Sequence, residues 1–200
     1  MANVAHSTLT SSNLHENKGV ATATDDFVAT ATSGATVWKK LTASNLTGTG
    51  NSFGGSLLHV QDRRASGAGT SSLTGSTWNV RVLNTTQTNE ISGASLASNQ
   101  ITLPAGTYWI DSGVFAYSNS GGLGTKQRLR NITAGTTSVV GMSTNVDTSG
   151  AFTNMTGRFT LAGSTVLEVQ QYATAGGGGG VVVSSGEEEI FVDVKIWKVA

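Results

Sequence analysis

The chain has 200 residues, with 12 basic and 12 acidic side chains, three histidines and no cysteine. This balance leaves no polycation to bind nucleic acid by counterion release, and the lack of thiols excludes disulfides, thiolate metal sites and a cysteine nucleophile. No apolar run reaches the length of a membrane span, and no signal-like apolar run opens the chain, so we expect a protein made and used without membrane insertion. Polarity is carried mostly by Thr, Ser, Asn and Gly. Thr suits half-buried strands, 26 glycines supply turns and Pro104 is the single proline, which together point to an all-β protein.

The first segment, residues 1–43, contains SNLHENKGVATA, a concentration of His15, Glu16 and Lys18 in a sparsely charged chain. Ser11, Ser12 and Asn13 are good helix caps and Gly19 a good stop, so a helical turn is predicted over residues 13–18. VATAT at 20–24 and again at 28–32, then residues 36–41, read as three short strands. They hold too little apolar mass to fold alone, so the segment is expected to need a neighbour. His15 and Glu16 are adjacent and point about 100° apart on a helix, and no second His stands at i+4. A polar docking turn anchored by Leu14 is the favoured reading over a metal or catalytic site. Residues 44–56, SNLTGTGNSFGGS, read as a flexible linker.

From residue 57 the pattern changes to repeated alternation. It is seen in Leu58–Val60, in Trp78–Val82, from Tyr108 to Tyr117, and at Lys126–Asn131, Arg158–Ala162 and Thr165–Gln171. Turn signals separate these runs, as in a sandwich or jelly roll. In the last run Ile190, Val192, Val194 and Ile196 are expected on one face, with Phe191 and Trp197 adding apolar surface to the other. A strand apolar on both sides implies a second cover, read here as another subunit.

The remaining motifs have bland readings. Gly121-Gly122-Leu123-Gly124-Thr125-Lys126 departs from the phosphate-loop pattern and is expected to be a flexible hairpin loop. Gly176–Gly180 precedes the strand-like Val181-Val182-Val183, so it is expected to be a mobile rim loop, with close backbone approach as the minor alternative. Glu187, Glu188 and Glu189 are read as a solvated turn in preference to a calcium site with Asp147 or Asp193. Lys126, Arg128 and Arg130 share one strand face, read as a solubilising strip in preference to a contact for anionic polysaccharide. The sequons at Asn45, Asn84, Asn131 and Asn154 are read as accidents of Asn/Thr richness. Isolated acids such as Glu90, Asp111 and Glu168 do not form the paired carboxylates of a polysaccharide depolymerase. The expectation is a protein that is not an enzyme, with no cofactor and no metal.

Two stretches resemble known families. LHENKGVATA followed by VWKKL resembles an N-terminal module of tailed-bacteriophage structural proteins, whose usual form is Leu-His-Glu-Pro-Lys-Gly-Val with a Trp after it. Leu14, His15, Glu16, Lys18, Gly19, Val20 and Trp38 match, and Asn17 stands where proline is usual, which implies a less rigid turn. Residues 57–200, with WNVRVLNTTQTNE, LPAGTY and VDVKIW, resemble the C1q/TNF-like jelly-roll knobs of phage fibres and spikes.

The two resemblances imply a homotrimeric virion protein that binds and does not catalyse. Residues 1–43 would dock through Leu14, His15, Glu16, Asn17, Lys18, Gly19, Val20 and Trp38 onto the major capsid protein or another virion protein. Trp78, Tyr108, Trp109, Phe115, Tyr172, Phe191 and Trp197 would fill the knob core or line the trimer axis, a division the sequence leaves open. With no shaft repeat, a stubby capsid decoration or head fibre is preferred over a tail fibre that recognises host-surface glycans. Loops 119–124, 144–151 and 174–180 are the expected glycan contacts.

Overall fold

The computed structural model describes residues 27–32, 35–40, 56–118, 121–148 and 150–199. The chain divides into two compact units, Met1–Asn51 and Ser52–Ala200. In the first unit β1 (Phe27–Thr32) pairs antiparallel with β2 (Ala35–Lys40), placing Trp38 opposite Ala29. The helical turn expected over 13–18, the strand expected at 20–24 and the docking residues Leu14 to Val20 lie outside the described residues, as does most of the 44–56 linker.

The second unit is built from period-two alternation. Its strands are β3 (Leu57–Arg64), β4 (Ser72–Leu73), β5 (Thr77–Val80), β6 (Thr85–Asn89), β7 (Ser95–Ala97), β8 (Gln100–Leu103), β9 (Gly106–Ala116), β10 (Leu123–Asn131), β11 (Thr136–Val146), β12 (Ala151–Leu161), β13 (Thr165–Ala173), β14 (Gly177–Gly178) and β15 (Glu189–Lys198). One sheet runs β12-β9-β15-β3-β6; the facing six-stranded sheet runs β11-β10-β13-β8-β7, with β5 added beside β13. All pairings are antiparallel, and apart from the β7–β8 and β10–β11 hairpins the connections between strands of the two main sheets cross from one sheet to the other, which makes an all-β jelly-roll sandwich.

Between the sheets lies a core that includes Leu58, Val60, Ile101, Ile110, Leu129, Leu167, Val169, Val194 and Ile196. Tyr108 is fully buried and stacked on Phe159 at 5.5 Å, with its hydroxyl donating to the Pro104 carbonyl at 2.8 Å. Desolvation raises the pKa of that phenol. The core also holds a polar link between the sheets. The buried Gln127 amide of β10 donates to the carbonyls of Ser112 on β9 (2.9 Å) and Thr153 on β12 (2.6 Å), and its oxygen accepts from the Ser112 hydroxyl (3.0 Å). An amide with its donors and acceptor engaged avoids the cost of a buried orphan and sets the sheets in one register.

The last strand corrects an expected face. The register of β15 against β3 shifts between Ile190 and Val192. This bulge turns Phe191 inward, at 3% exposure, and leaves Ile190 outward at 49%. Phe191 therefore belongs to the interior, while Trp197 keeps the outer face.

The glycine run is also corrected. Gly177–Gly178 forms a strand against Ser72–Leu73, and Gly178 exchanges two 3.0 Å backbone hydrogen bonds with Tyr117. A Cβ at Gly178 would stand 1.8 Å from the Tyr117 ring, at Gly179 2.5 Å from the Ser71 carbonyl and at Gly180 1.9 Å from the Phe191 ring. The run is thus a tightly seated cover, because only bare backbone fits over these groups. Val181-Val182-Val183, expected as a strand, forms none, and Val183 is 71% exposed. The segment expected as a hairpin loop at 121–126 enters β10 at Leu123, so Lys126 is a strand residue.

Glu189 corrects the solvated-turn reading of Glu187–Glu189. It is buried, and its Oε1 accepts from the backbone N–H groups of Ser184 (2.8 Å), Val183 (3.1 Å) and Gly67 (3.3 Å), while Glu188 pairs with Arg63. The Ser184 hydrogen bond lowers the Glu189 pKa below its ordinary 4.5; desolvation opposes this, and the Gly67 and Val183 bonds add to it. A lowered folded-state pKa gives stability that is present above the ordinary value and is lost as the pH falls through the folded one. Glu189→Gln is therefore expected to lower the urea midpoint at pH 7 and to converge on the parent as the pH falls below 4.5. A difference that persisted unchanged into acid would contradict this reading.

Candidate functional site

The outer face of the five-stranded sheet places several sequence-selected aromatics side by side. Strand register sets them in rows, since directly opposite residues of an antiparallel pair share a face. One row runs Arg158, Trp109, Trp197 and Leu57 across β12, β9, β15 and β3. Another is the pair Phe152 and Phe115, whose rings meet edge to face at 5.0 Å. Trp109 is 45% and Phe152 68% exposed, values too high for core residues of an isolated sandwich.

Between these aromatic rows runs a polar band. Asp193 of β15 accepts from His59 Nε2 (2.5 Å), from Gln61 Nε2 (2.8 Å) and from Lys195 Nζ. Burial pushes the Asp193 pKa up, and the hydrogen bonds from Lys195, His59 and Gln61, with the Lys195 charge, outweigh it, so the net shift is downward. Lys195 also stands opposite Asp111 of β9. A His–Asp pair alone is half of a nucleophile-activating arrangement. Among the described residues no hydrogen bond reaches the other ring nitrogen of His59, and the pair lies on the outer face of the sheet. Nor do three or more His, Asp or Glu side chains converge as a metal site among the described residues.

Of the seven aromatics singled out from sequence, the structure places Tyr108 and Phe191 inside. Trp109, Phe115 and Trp197 lie on the outer face of the five-stranded sheet. Trp78 and Tyr172 lie together on the outer face of the other sheet, ring centroids 5.4 Å apart at 65°. Phe152, which joins the first face, was not selected from sequence. Its signal was present in AFTNMTGRFTL, where Phe152, Asn154, Thr156 and Arg158 alternate against Thr153, Met155 and Phe159.

Solved structures similar to the chain include murine APRIL at pH 8.5, 12% identical, covering 72% of this chain and 98% of that chain with a TM-score of 0.48. The globular domain of zebrafish complement 1qA protein is 9% identical over 72% and 98%, with a TM-score of 0.46. Eiger TNF from S. frugiperda is 10% identical over 73% and 93%, with a TM-score of 0.47. No protein-family model and no curated protein matches the chain. The fold reading rests on the sheet order and register described above.

Proposed function

We propose that this chain is a non-enzymatic structural protein of a tailed-bacteriophage virion, a homotrimer whose jelly roll projects from an N-terminal anchor. The observation that carries the self-association is the banded outer face of the five-stranded sheet. Exposed Trp109 and Phe152, beside Trp197 and Phe115, form two apolar bands around a polar centre. Large exposed aromatics gathered on one face of a folded domain support an interface there, and the Asp193–His59–Lys195 band supplies the register that apolar bands lack. Docking onto the shell through residues 1–43 is supported by the resemblance of LHENKGVATA and VWKKL alone. Capsid decoration is the preferred location, because no shaft repeat joins anchor to knob. Three anchors per trimer would add avidity, so modest single contacts would hold firmly.

The self-association reading is tested by the mass of the purified full chain in solution. A trimer is expected at three times 20.4 kDa, about 61 kDa. Changing Trp109 and Phe152 together to Asp is expected to give a folded monomer of 20.4 kDa with an unchanged circular-dichroism spectrum, since both side chains are exposed. A parent chain that is monomeric at micromolar concentration would sink the reading. The virion role is tested separately, by gold-labelled antibody to residues 57–200 on intact particles. Label over the head means a decoration protein, label at the tail tip means a receptor-binding fibre with a host-surface glycan as ligand, and no label removes the virion role.

A further inference from the structure

We propose that the outer face of the six-stranded sheet carries a binding site for an acidic polysaccharide, with the Arg128 guanidinium as the anchor for a sugar carboxylate. The inference goes beyond the structural role proposed above, and rests on the tail-fibre alternative, in which a host-surface glycan is the ligand, for its biological setting. It moves the contact from the rim loops to a sheet face.

The site is ordered from beneath by a buried polar chain. Glu168 and Gln170 of β13 are nearly buried although they alternate outward, opposite Arg130 and Arg128 of β10. The Glu168 carboxylate accepts from the amides of Gln100 (2.9 Å) and Gln170 (2.6 Å). The Gln170 oxygen then accepts from both Nε (2.9 Å) and Nη2 (2.7 Å) of Arg128. The guanidinium lies 4.0 Å over the Trp78 ring, which is braced edge-on by Tyr172. Arg128 is thus fixed by a neutral amide and an indole, neither of which cancels its charge, and among the described residues no acceptor engages its Nη1. A cation held without a counter-charge is pre-organised for an anion, because its rotamer entropy is already spent in the free protein.

The surroundings extend the site. Lys126, Arg128 and Arg130 alternate along β10 at intervals of about 6.7 Å, a row of roughly 13 Å. None forms an ion pair with a described carboxylate, and Glu168, the one acid opposite the row, has both oxygens taken by amides. Three cations against one carboxylate leave two net positive charges on this face, in a chain that is neutral as a whole. Ser143 and Val140 of β11 border the row opposite Lys126 and Arg128. A linear polyanion rich in hydroxyls matches this row of three cations, the central one held in place and Ser143 beside it. Single-stranded nucleic acid fits less well, since Trp78 and Tyr172 are packed against each other and Arg128 caps the indole, leaving no stacking platform of the kind bases need.

The test is binding of the full chain to immobilised polygalacturonate, with neutral dextran as control. Saturable binding to polygalacturonate is expected at about 0.05 M salt, weakened at about 0.5 M where charges are screened within a few ångströms. Arg128→Gln is expected to lose about tenfold in affinity, the equivalent of one charge-assisted hydrogen bond. Lys126→Gln and Arg130→Gln are expected to lose less, and Lys198→Gln, which removes the same charge elsewhere, to lose nothing. An unchanged urea midpoint for Arg128→Gln shows that the loss is local. Arg128→Lys, which keeps the charge, recovers part of the affinity. No binding at low salt, equal loss in the Lys198 variant, or tighter binding of a single-stranded oligonucleotide overturns the proposal. Solution mass reads assembly independently, so a trimer that does not bind and a monomer that does are told apart.

Discussion

Arg81→Ala is expected to cost about 4 kcal/mol of stability, a large part of what holds a domain of this size together. Arg81 is fully buried at the end of the sandwich, directly beneath the glycine run. Its Nη1 donates to Gln171 Oε1 at 2.8 Å and its Nη2 to the Gly179 carbonyl at 2.7 Å. Burial pulls its pKa from the usual arginine range down to about 10, with the buried Asp62 charge opposing the fall. Truncation leaves Gln171 Oε1 and the Gly179 carbonyl without their donor, opens a cavity, and removes a positive charge that offsets the buried Asp62. Asp62 keeps the Arg64 Nε bond at 2.7 Å and the Thr70 hydroxyl, so it is weakened and not orphaned. Arg81→Met fills part of the volume and is expected to cost less than alanine. Urea midpoints measured for parent, Ala and Met decide the matter; an alanine variant within about 1 kcal/mol of the parent would mean that the guanidinium is dispensable.

Gly178→Ala is expected to cost about 3 kcal/mol, at the upper end for overpacking. The added Cβ would stand 1.8 Å from the Tyr117 ring. The two main chains are held together by two backbone hydrogen bonds of 3.0 Å, so either the ring leaves its rotamer or the bridge opens. Opening the bridge would also lift the strand off Leu73 and Ser72. The same run supplies its own control. A Cβ at Gly176 meets nothing closer than the Leu73 carbonyl at 3.8 Å, so Gly176→Ala is expected to be neutral or to stabilise by about 0.5 kcal/mol through the unfolded chain. Equal midpoints for the two alanine variants would return the run to the mobile loop expected from sequence.

Much of the strand framework was legible in the sequence, because alternation survives wherever a strand has one wet and one dry face. The strands β9, β10, β13 and β15 follow the alternating runs to within a few residues. β11 was missed. Val139 and Val146 are buried while Val140 and Met142 are 61% and 68% exposed, and the pairing with β10 slips twice, so no single period runs through it. Arg81 was missed for a related reason. In WNVRV it reads as the polar half of an alternation, yet Arg81 points inward and Trp78 and Val80 outward. Its partners Gln171 and Gly179 are far along the chain, and local sequence carries no record of them.

By itself, the sequence determined the class and the chemical temper of the protein. Thr- and Gly-rich composition with period-two runs specifies strands and turns, and the lack of cysteine means that no disulfide staples them. Tertiary structure alone decided which side of each strand is inside. A pleat alternates with period two, so local sequence sets the alternation but leaves its sign open; register and bulges choose the sign. The bulge at Ile190–Val192 sent Phe191 to the interior, and pairing of β5 with β13 brought Trp78 out beside Tyr172 and Arg128. Strand order likewise gathered Trp109, Trp197, Phe115 and Phe152 on one face, because neighbours in a jelly roll are distant in sequence.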